Sequence, residues 1–210
     1  MTYKNTYNEI LHQLTDGAPL VSPIETIAQA PDVPGLYAIF VDDTTALPAP
    51  FDDLLASRSS ALIYLGKAGD SLRKRLGEEE LRHKRAATFF RSLGAVLGYQ
   101  PPPGSLSGAK NQRNYRFSAD DTAAITAWID AHLRVRWLAL PKAETESYEP
   151  QLIATLRPLL NLKGNPSALP ELRAVREACA RRADKSLSQR LDRSVDAEDL
   201  AAEIVDFSEG

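Results

Sequence analysis

The chain has 210 residues with 43% hydrophobic and 25% charged content and a formal net charge of −3, enough for one domain with a substantial core and unlike a disordered or fibrous chain. Its single cysteine, Cys179, excludes a disulfide framework and a thiolate zinc site within the chain. No apolar run approaches the roughly 18 residues of a membrane span, and the polar start, Met1 to Asn8, lacks the apolar stretch of a secretory signal, which together predict a cytoplasmic protein.

Residues 3–14 read as a short amphipathic helix with Ile10, Leu11 and Leu14 on one face, and residues 22–30 as a further helical turn that Pro31 ends. After the break at Pro34 and Gly35, the runs 36–41 (LYAIFV) and 61–65 (ALIYL) read as buried strands. The Pro-, Asp- and Ser-rich stretch 42–60 between them is expected to be a long hairpin loop. Asp70 or Ser71 can cap a helix over 72–81, and 86–97 is a second helix with Phe89, Phe90, Leu93 and Val96 as its apolar face. The Pro/Gly/Ser-rich stretch 101–114 is a candidate flap, and 115–117 a short edge strand. Ser118 caps a helix over 120–133, and the alternating run 135–140 (VRWLAL) is the third main strand. Helices follow over 144–156, which Pro158 stops, over 171–183, and over 195–207 within an acidic end. This order predicts an α+β fold: a small three-stranded sheet, antiparallel or mixed, flanked by helices. The expected organisation is an N-terminal helical extension over 1–33, a catalytic domain over 34–166, and an acidic helical extension over 167–210.

Net charge alone argues against a nucleic-acid partner, but its distribution carries more weight. Residues 184–210 hold eight acids and three bases, a charge of −5, so the remaining chain carries +2. From Lys67 to Arg91 there are eight bases against four acids. Such a face suits phosphates; the other reading is a solvated helix surface. The candidate nucleic-acid contacts on it are Arg73, Lys74, Arg82, Lys84, Arg85 and Arg91. The acidic end could fold over this face and close it.

Gly66 and Gly69 do not form a phosphate loop of either standard spacing. The residues that suit phosphate chemistry are instead Tyr37 and Tyr64 on neighbouring strands, then Lys67, Arg75, His83, Glu149 and Asn161. Phosphodiester hydrolysis needs an activated nucleophile, neutralisation of charge at phosphorus and commonly a metal. Glu149 suits Mg²⁺, which takes one or two carboxylates and keeps several waters. A guanidinium such as that of Arg75 can grip two phosphate oxygens. A tyrosine acting as base needs its pKa lowered by about two to three units, about 3 to 4 kcal/mol of preferential stabilisation, and Lys67 is placed to contribute. Each residue also has a plainer reading: core packing for a strand tyrosine, helix-dipole complementarity for an early helix Glu, a solvated surface for Arg75, turn chemistry for Asn161, and a helix end for His83.

As a set, Pro34-Gly35-Leu36-Tyr37, Ile63-Tyr64-Leu65-Gly66-Lys67-Ala68, Asp70-Ser71-Leu72-Arg73-Lys74-Arg75-Leu76, Glu149, Leu152-Ile153, Pro158 and Asn161 resemble the GIY-YIG nuclease superfamily, which includes the catalytic domains of the excision-repair endonuclease and of homing endonucleases. The resemblance spans roughly 34–165. It implies that Tyr37 and Tyr64 are the motif tyrosines, with Tyr37 the general base. Arg75 would bind phosphate, with Arg73 as the competing position because one extra residue precedes Arg75. Glu149 would hold Mg²⁺ or Mn²⁺, Asn161 would support the site, Lys67 occupies a motif position, and His83 corresponds at a longer offset to a histidine of some members. The implied activity is metal-dependent hydrolysis of DNA by a tyrosine-activated water, with RNA left open as a substrate and no membrane partner. The alternative is a non-catalytic nucleic-acid-binding or protein-interaction module on the same fold, which the low overall basicity and the acidic end favour.

Overall fold

The computed structural model describes residues 6–58, 60–85, 87–106 and 114–184. Three strands, β1 (Gly35–Val41), β2 (Leu62–Ala68) and β3 (Leu133–Ala139), form an antiparallel sheet in the order β2-β1-β3. In chain order the α-helices are α1 (Tyr7–His12), α2 (Pro23–Gln29), α3 (Phe51–Ala56), α4 (Thr88–Val96), α5 (Ala119–His132), α6 (Lys142–Leu156) and α7 (Pro170–Ala183). A π-helical turn covers Gln13–Gly17, a 3₁₀ turn Thr44–Ala46, and a longer π-helix Arg73–Glu80.

The central place of β1 explains its composition. Alternate strand side chains point to opposite faces. Tyr37, Ile39 and Val41 enter one core, while Leu36, Ala38 and Phe40 enter the other. A strand covered on both faces has no polar side, so LYAIFV runs continuously apolar. Ile10 and Leu14 of the N-terminal segment, with Leu152 and Ile153 of α6, cover the Leu36 face. The Tyr37 face is covered by Leu76 of the π-helix, Phe89, Phe90 and Leu93 of α4, Ile125 and Ile129 of α5, and Leu172 and Cys179 of α7. Ser22 opens α2 through a reciprocal capping box with Glu25, and Ser118 caps α5 by accepting from the Asp121 amide.

Four expectations are corrected. The stretch 42–60 is not an open loop: it contains α3, whose Phe51 and Leu55 join the Tyr37-side core. Residues 115–117 are not a strand; Tyr115 and Phe117 are buried and meet edge-on at 5.6 Å and 84°. The helix over 72–81 is wound as a π-helix. The helix beginning near residue 88 is not amphipathic in place: Phe89 through Val96 are all buried, Arg91 included, with α5 and α7 packed against α4. The stretch 107–113 of the candidate flap, the helix expected over 195–207 and the acidic cover over the basic face lie outside the described residues. No helix among the described residues is long and apolar enough to cross a membrane.

Candidate active site

The β1–β2 register pairs Tyr37 with Gly66 and Ile39 with Tyr64, so the two tyrosines stand diagonally on one face of the sheet. Their rings stack with centroids 6.4 Å apart and 30° between planes, and Tyr64 also meets Phe89 at 5.3 Å. Both motif glycines are required by close approach. A Cβ on Gly66 would lie 2.5 Å from Cζ and Oη of Tyr37. One on Gly35 would lie 2.3 Å from the Leu138 carbonyl oxygen and 2.6 Å from Leu72 Cδ1.

The hub of the site is Glu80, which its place in the run Glu78-Glu79-Glu80 disguises as solvated surface. Its side chain is 0% exposed. Oε1 accepts from the Tyr37 hydroxyl at 3.2 Å and from Arg75 Nη2 at 2.7 Å, and Oε2 accepts from the Phe89 amide at 2.9 Å. Arg75 also binds Glu79 at 2.9 Å. The π-helix makes this cluster. In an α-helix, residues five apart stand about 140° apart around the axis, which would turn Glu80 away from Arg75. With bonds closing over five residues, as from the Leu81 amide to the Leu76 carbonyl at 3.0 Å, Arg75, Glu79 and Glu80 share one side.

An unpaired carboxylate at this depth would cost several kcal/mol, and its three donors compensate. Burial pushes the Glu80 carboxyl up, against Arg75, the Phe89 amide and Tyr37, which favour the charged form. Burial opposes the charge on Arg75, and the Glu80 carboxylate outweighs it, so the guanidinium is held above its ordinary range. Tyr37 and Tyr64 are both pushed up, by burial first and by Glu80 second. The expectation that Lys67 would lower a tyrosine pKa is therefore corrected: Lys67 Nζ is paired with Glu149 at 2.9 Å, and both phenols are raised.

Beside this cluster, at the β2 edge, lies a cavity of about 630 Å³. Tyr64, Lys67, Glu149 and Asn161 line it. The Tyr64 hydroxyl has no hydrogen-bond partner among the described residues, whereas Tyr37, 1% exposed, stands outside the lining and is bound to Glu80. Asn161 acts as a backbone clamp. Its Oδ1 accepts from the Leu65 amide at 2.9 Å and its Nδ2 donates to the Leu65 carbonyl at 2.8 Å. With the Leu160 amide donating to the Ile63 carbonyl at 2.7 Å, the segment fixes the β2 edge on either side of Tyr64.

The structure separates the remaining candidates. Arg75, not Arg73, faces the tyrosines; Arg73 Nε donates to the Ala30 carbonyl at 3.2 Å. Arg73, Lys74, Lys84 and Arg85 are exposed, with Lys84 within 3.5 Å of Glu78. Arg82 is tied to Asp130 at 2.6 Å. Arg91 is not on the surface: it is 5% exposed, over the Tyr115 ring at 5.9 Å, with Nε and Nη1 unpartnered among the described residues. His83 is buried against Phe90 at 4.5 Å and 14°, with both ring nitrogens unpartnered among the described residues and a backbone φ of 53°. Burial and the charges of Arg91 and Arg116 pull its pKa down to about 4, so the ring is neutral at pH 7. It does not line the cavity.

No three His, Cys, Asp or Glu side chains gather as a metal cage among the described residues. The donor set does fit an ion that keeps most of its waters: the Glu149 carboxylate faces a roomy cavity that Glu177 lines from another wall, and it already holds a cationic group, the Lys67 ammonium. Residues 35–178 match the GIY-YIG catalytic domain. No curated protein and no solved structure matches the chain.

Proposed function

This chain belongs to the GIY-YIG catalytic domain family, and we propose that it is a metal-dependent endonuclease hydrolysing DNA phosphodiester bonds. The observation that supports this reading best is the buried Tyr37–Glu80–Arg75 cluster beside a cavity lined by Glu149. Tyr37 is the general base. Its hydroxyl, 1% exposed and outside the cavity lining in the free protein, is reached by the attacking water once substrate opens the contact; it then takes a proton from that water as its own hydroxyl proton passes along the existing hydrogen bond to Glu80 Oε1, a carboxylate whose proton affinity burial has raised. This relay removes the need for a standing phenolate, which burial disfavours. Arg75, oriented by Glu79 and Glu80, offers its remaining N–H groups to the phosphate. The Tyr64 hydroxyl orders the phosphate and the water in the cavity, and Asn161 holds the strand that carries it. Glu149 would hold Mg²⁺ or Mn²⁺, which supplies charge neutralisation at the phosphoryl group. Lys67 keeps a cation beside Glu149.

The test is incubation with supercoiled, linear, branched and single-stranded DNA, and with RNA, with and without Mn²⁺, beside the Glu149→Ala protein. Metal-dependent cleavage by the wild type alone is expected. A wild type that binds DNA but cuts nothing with either ion would replace this reading with the non-catalytic module.

A further inference from the structure

The cavity beside Glu149 has a second wall that the motif residues do not provide. α7 supplies Arg173, Arg176, Glu177 and Ala180 to the lining, and Lys163 joins them from the preceding loop. The helix is held in place by the adjoining face, about a quarter turn away, where Leu172, Cys179 and Ala183 enter the core that holds Tyr37. Positions 173, 176, 177 and 180 fall three and four apart, the spacing of a single helix stripe, so anchoring one face aims the adjoining one at the cleft. The family match runs into this helix, to residue 178.

The charge balance of the lining is uneven. Lys67 and Glu149 neutralise each other at 2.9 Å, leaving Lys163, Arg173 and Arg176 against Glu177. Arg82 and Arg134 are spent on carboxylates. Arg173 and Arg176 have neither an ion pair nor a side-chain hydrogen bond among the described residues. Arg176 is half-buried rather than splayed into solvent. It lines the cavity together with Tyr64 and Tyr115, which places the guanidinium at the cleft.

We propose that Arg173 and Arg176 of α7, with Lys163, form a phosphate subsite across the cavity from Glu149, gripping a backbone phosphate of the substrate strand next to the one being cut. A guanidinium binds two phosphate oxygens in one plane, and two such groups one helical turn apart fix a strand's position as well as its charge. The cavity volume of about 630 Å³ lies in the range of pockets that enclose small ligands, which suits a strand segment entering the site. Glu177 on the same wall opposes the anion and sets an upper limit on affinity.

This inference rests on the nuclease reading, and one titration separates the two. Binding of a fluorescein-labelled single-stranded DNA oligonucleotide to the full chain is followed by anisotropy in EDTA, where no cutting occurs, from low to moderate salt. Arg173→Ala/Arg176→Ala should weaken binding about ten-fold and reduce the slope of log K against log salt by about 1.4, two contacts at roughly 0.7 each. Arg173→Lys/Arg176→Lys should keep most of the slope and lose part of the affinity. Glu177→Gln should tighten binding by about two- to three-fold at low salt. Far-UV circular dichroism shows that α7 is retained in each variant. Unchanged affinity and slope in the alanine variant, with a wild type that binds and cuts DNA, overturns the subsite alone. A wild type that neither binds nor cuts any nucleic acid overturns the nuclease reading and the subsite with it.

Discussion

Replacing Glu80 probes the site from both sides, through stability and through rate. Glu80→Ala removes the partner of three donors at once: the buried end of Arg75 at 2.7 Å, the Phe89 amide at 2.9 Å and the Tyr37 hydroxyl at 3.2 Å. Removing one member of a buried ion pair costs about 3 to 5 kcal/mol. Arg75 is 32% exposed and keeps Glu79, which lowers its share; the orphaned amide and hydroxyl add about 1 kcal/mol each. The expected loss is about 3 kcal/mol, read as a fall of about 1.5 M in the urea midpoint at a slope of about 2 kcal/mol/M. Glu80→Gln keeps the shape and one acceptor, so its stability loss should be about 1 to 2 kcal/mol. Yet it cannot take the Tyr37 proton, and single-turnover cleavage should fall by about 10² to 10⁴. Because Glu80 acts through Tyr37, the Tyr37→Phe/Glu80→Gln double variant should be no slower than Tyr37→Phe. A glutamine variant that cuts at the wild-type rate, or a double variant that loses the product of the two single effects, refutes the relay.

Three further outcomes follow from neighbouring residues. His83, held down to about 4 from an ordinary 6.5 by burial first, binds fewer protons folded than unfolded between those values. Its contribution to stability is therefore complete above about pH 6.5 and lost as pH falls through about 4, about 3 kcal/mol in all. His83→Asn, which tolerates the positive φ, should flatten that part of the urea-midpoint profile, and parallel profiles would contradict it. Asn161→Ala leaves the Leu65 amide and carbonyl without their side-chain partners and should cost about 2 to 4 kcal/mol; a loss under about 0.5 kcal/mol in the same assay would remove its clamp role. Gly66→Ala drives a methyl group into the Tyr37 ring and should cost about 2 to 3 kcal/mol. Tyr37→Ala in the same chain should recover part of that loss, and no recovery would place the strain elsewhere.

Much of the fold can be read from local pattern. A continuously apolar β1 and the paired run of β2 announce a sheet covered on both faces, and Ser118 and Ser22 mark helix starts by cap chemistry alone. The pairing of Tyr37 with Tyr64 can be reached from chain order, because strand register carries it, whereas spacing leaves Arg73 beside Arg75 and only the contacts to Ala30 and Glu80 separate them. Glu80 cannot be reached that way either. A period of 3.6 turns it away from Arg75, and a run of three Glu reads as solvated surface until the π-helix is seen. Arg91 and Arg82 likewise read as surface charge, because only tertiary packing by α5 and α7 reveals that one is buried and the other paired. The helical content of 42–60 is hidden by its prolines and acids, and shows only when Phe51 and Leu55 are found in the core. The arginines of α7 reach the cavity only because Leu172 and Cys179 anchor that helix on the tyrosine side.

The central claim is that Glu149 and a divalent ion make the tyrosine cluster a nuclease. It is tested most directly by following nicking of supercoiled plasmid across a Mn²⁺ titration with wild-type and Glu149→Gln protein, with DNA binding measured in the same samples. The wild type should nick in proportion to metal occupancy, while the variant should bind DNA and leave the plasmid intact. Equal nicking by both proteins, or nicking that persists unchanged in EDTA, would contradict it.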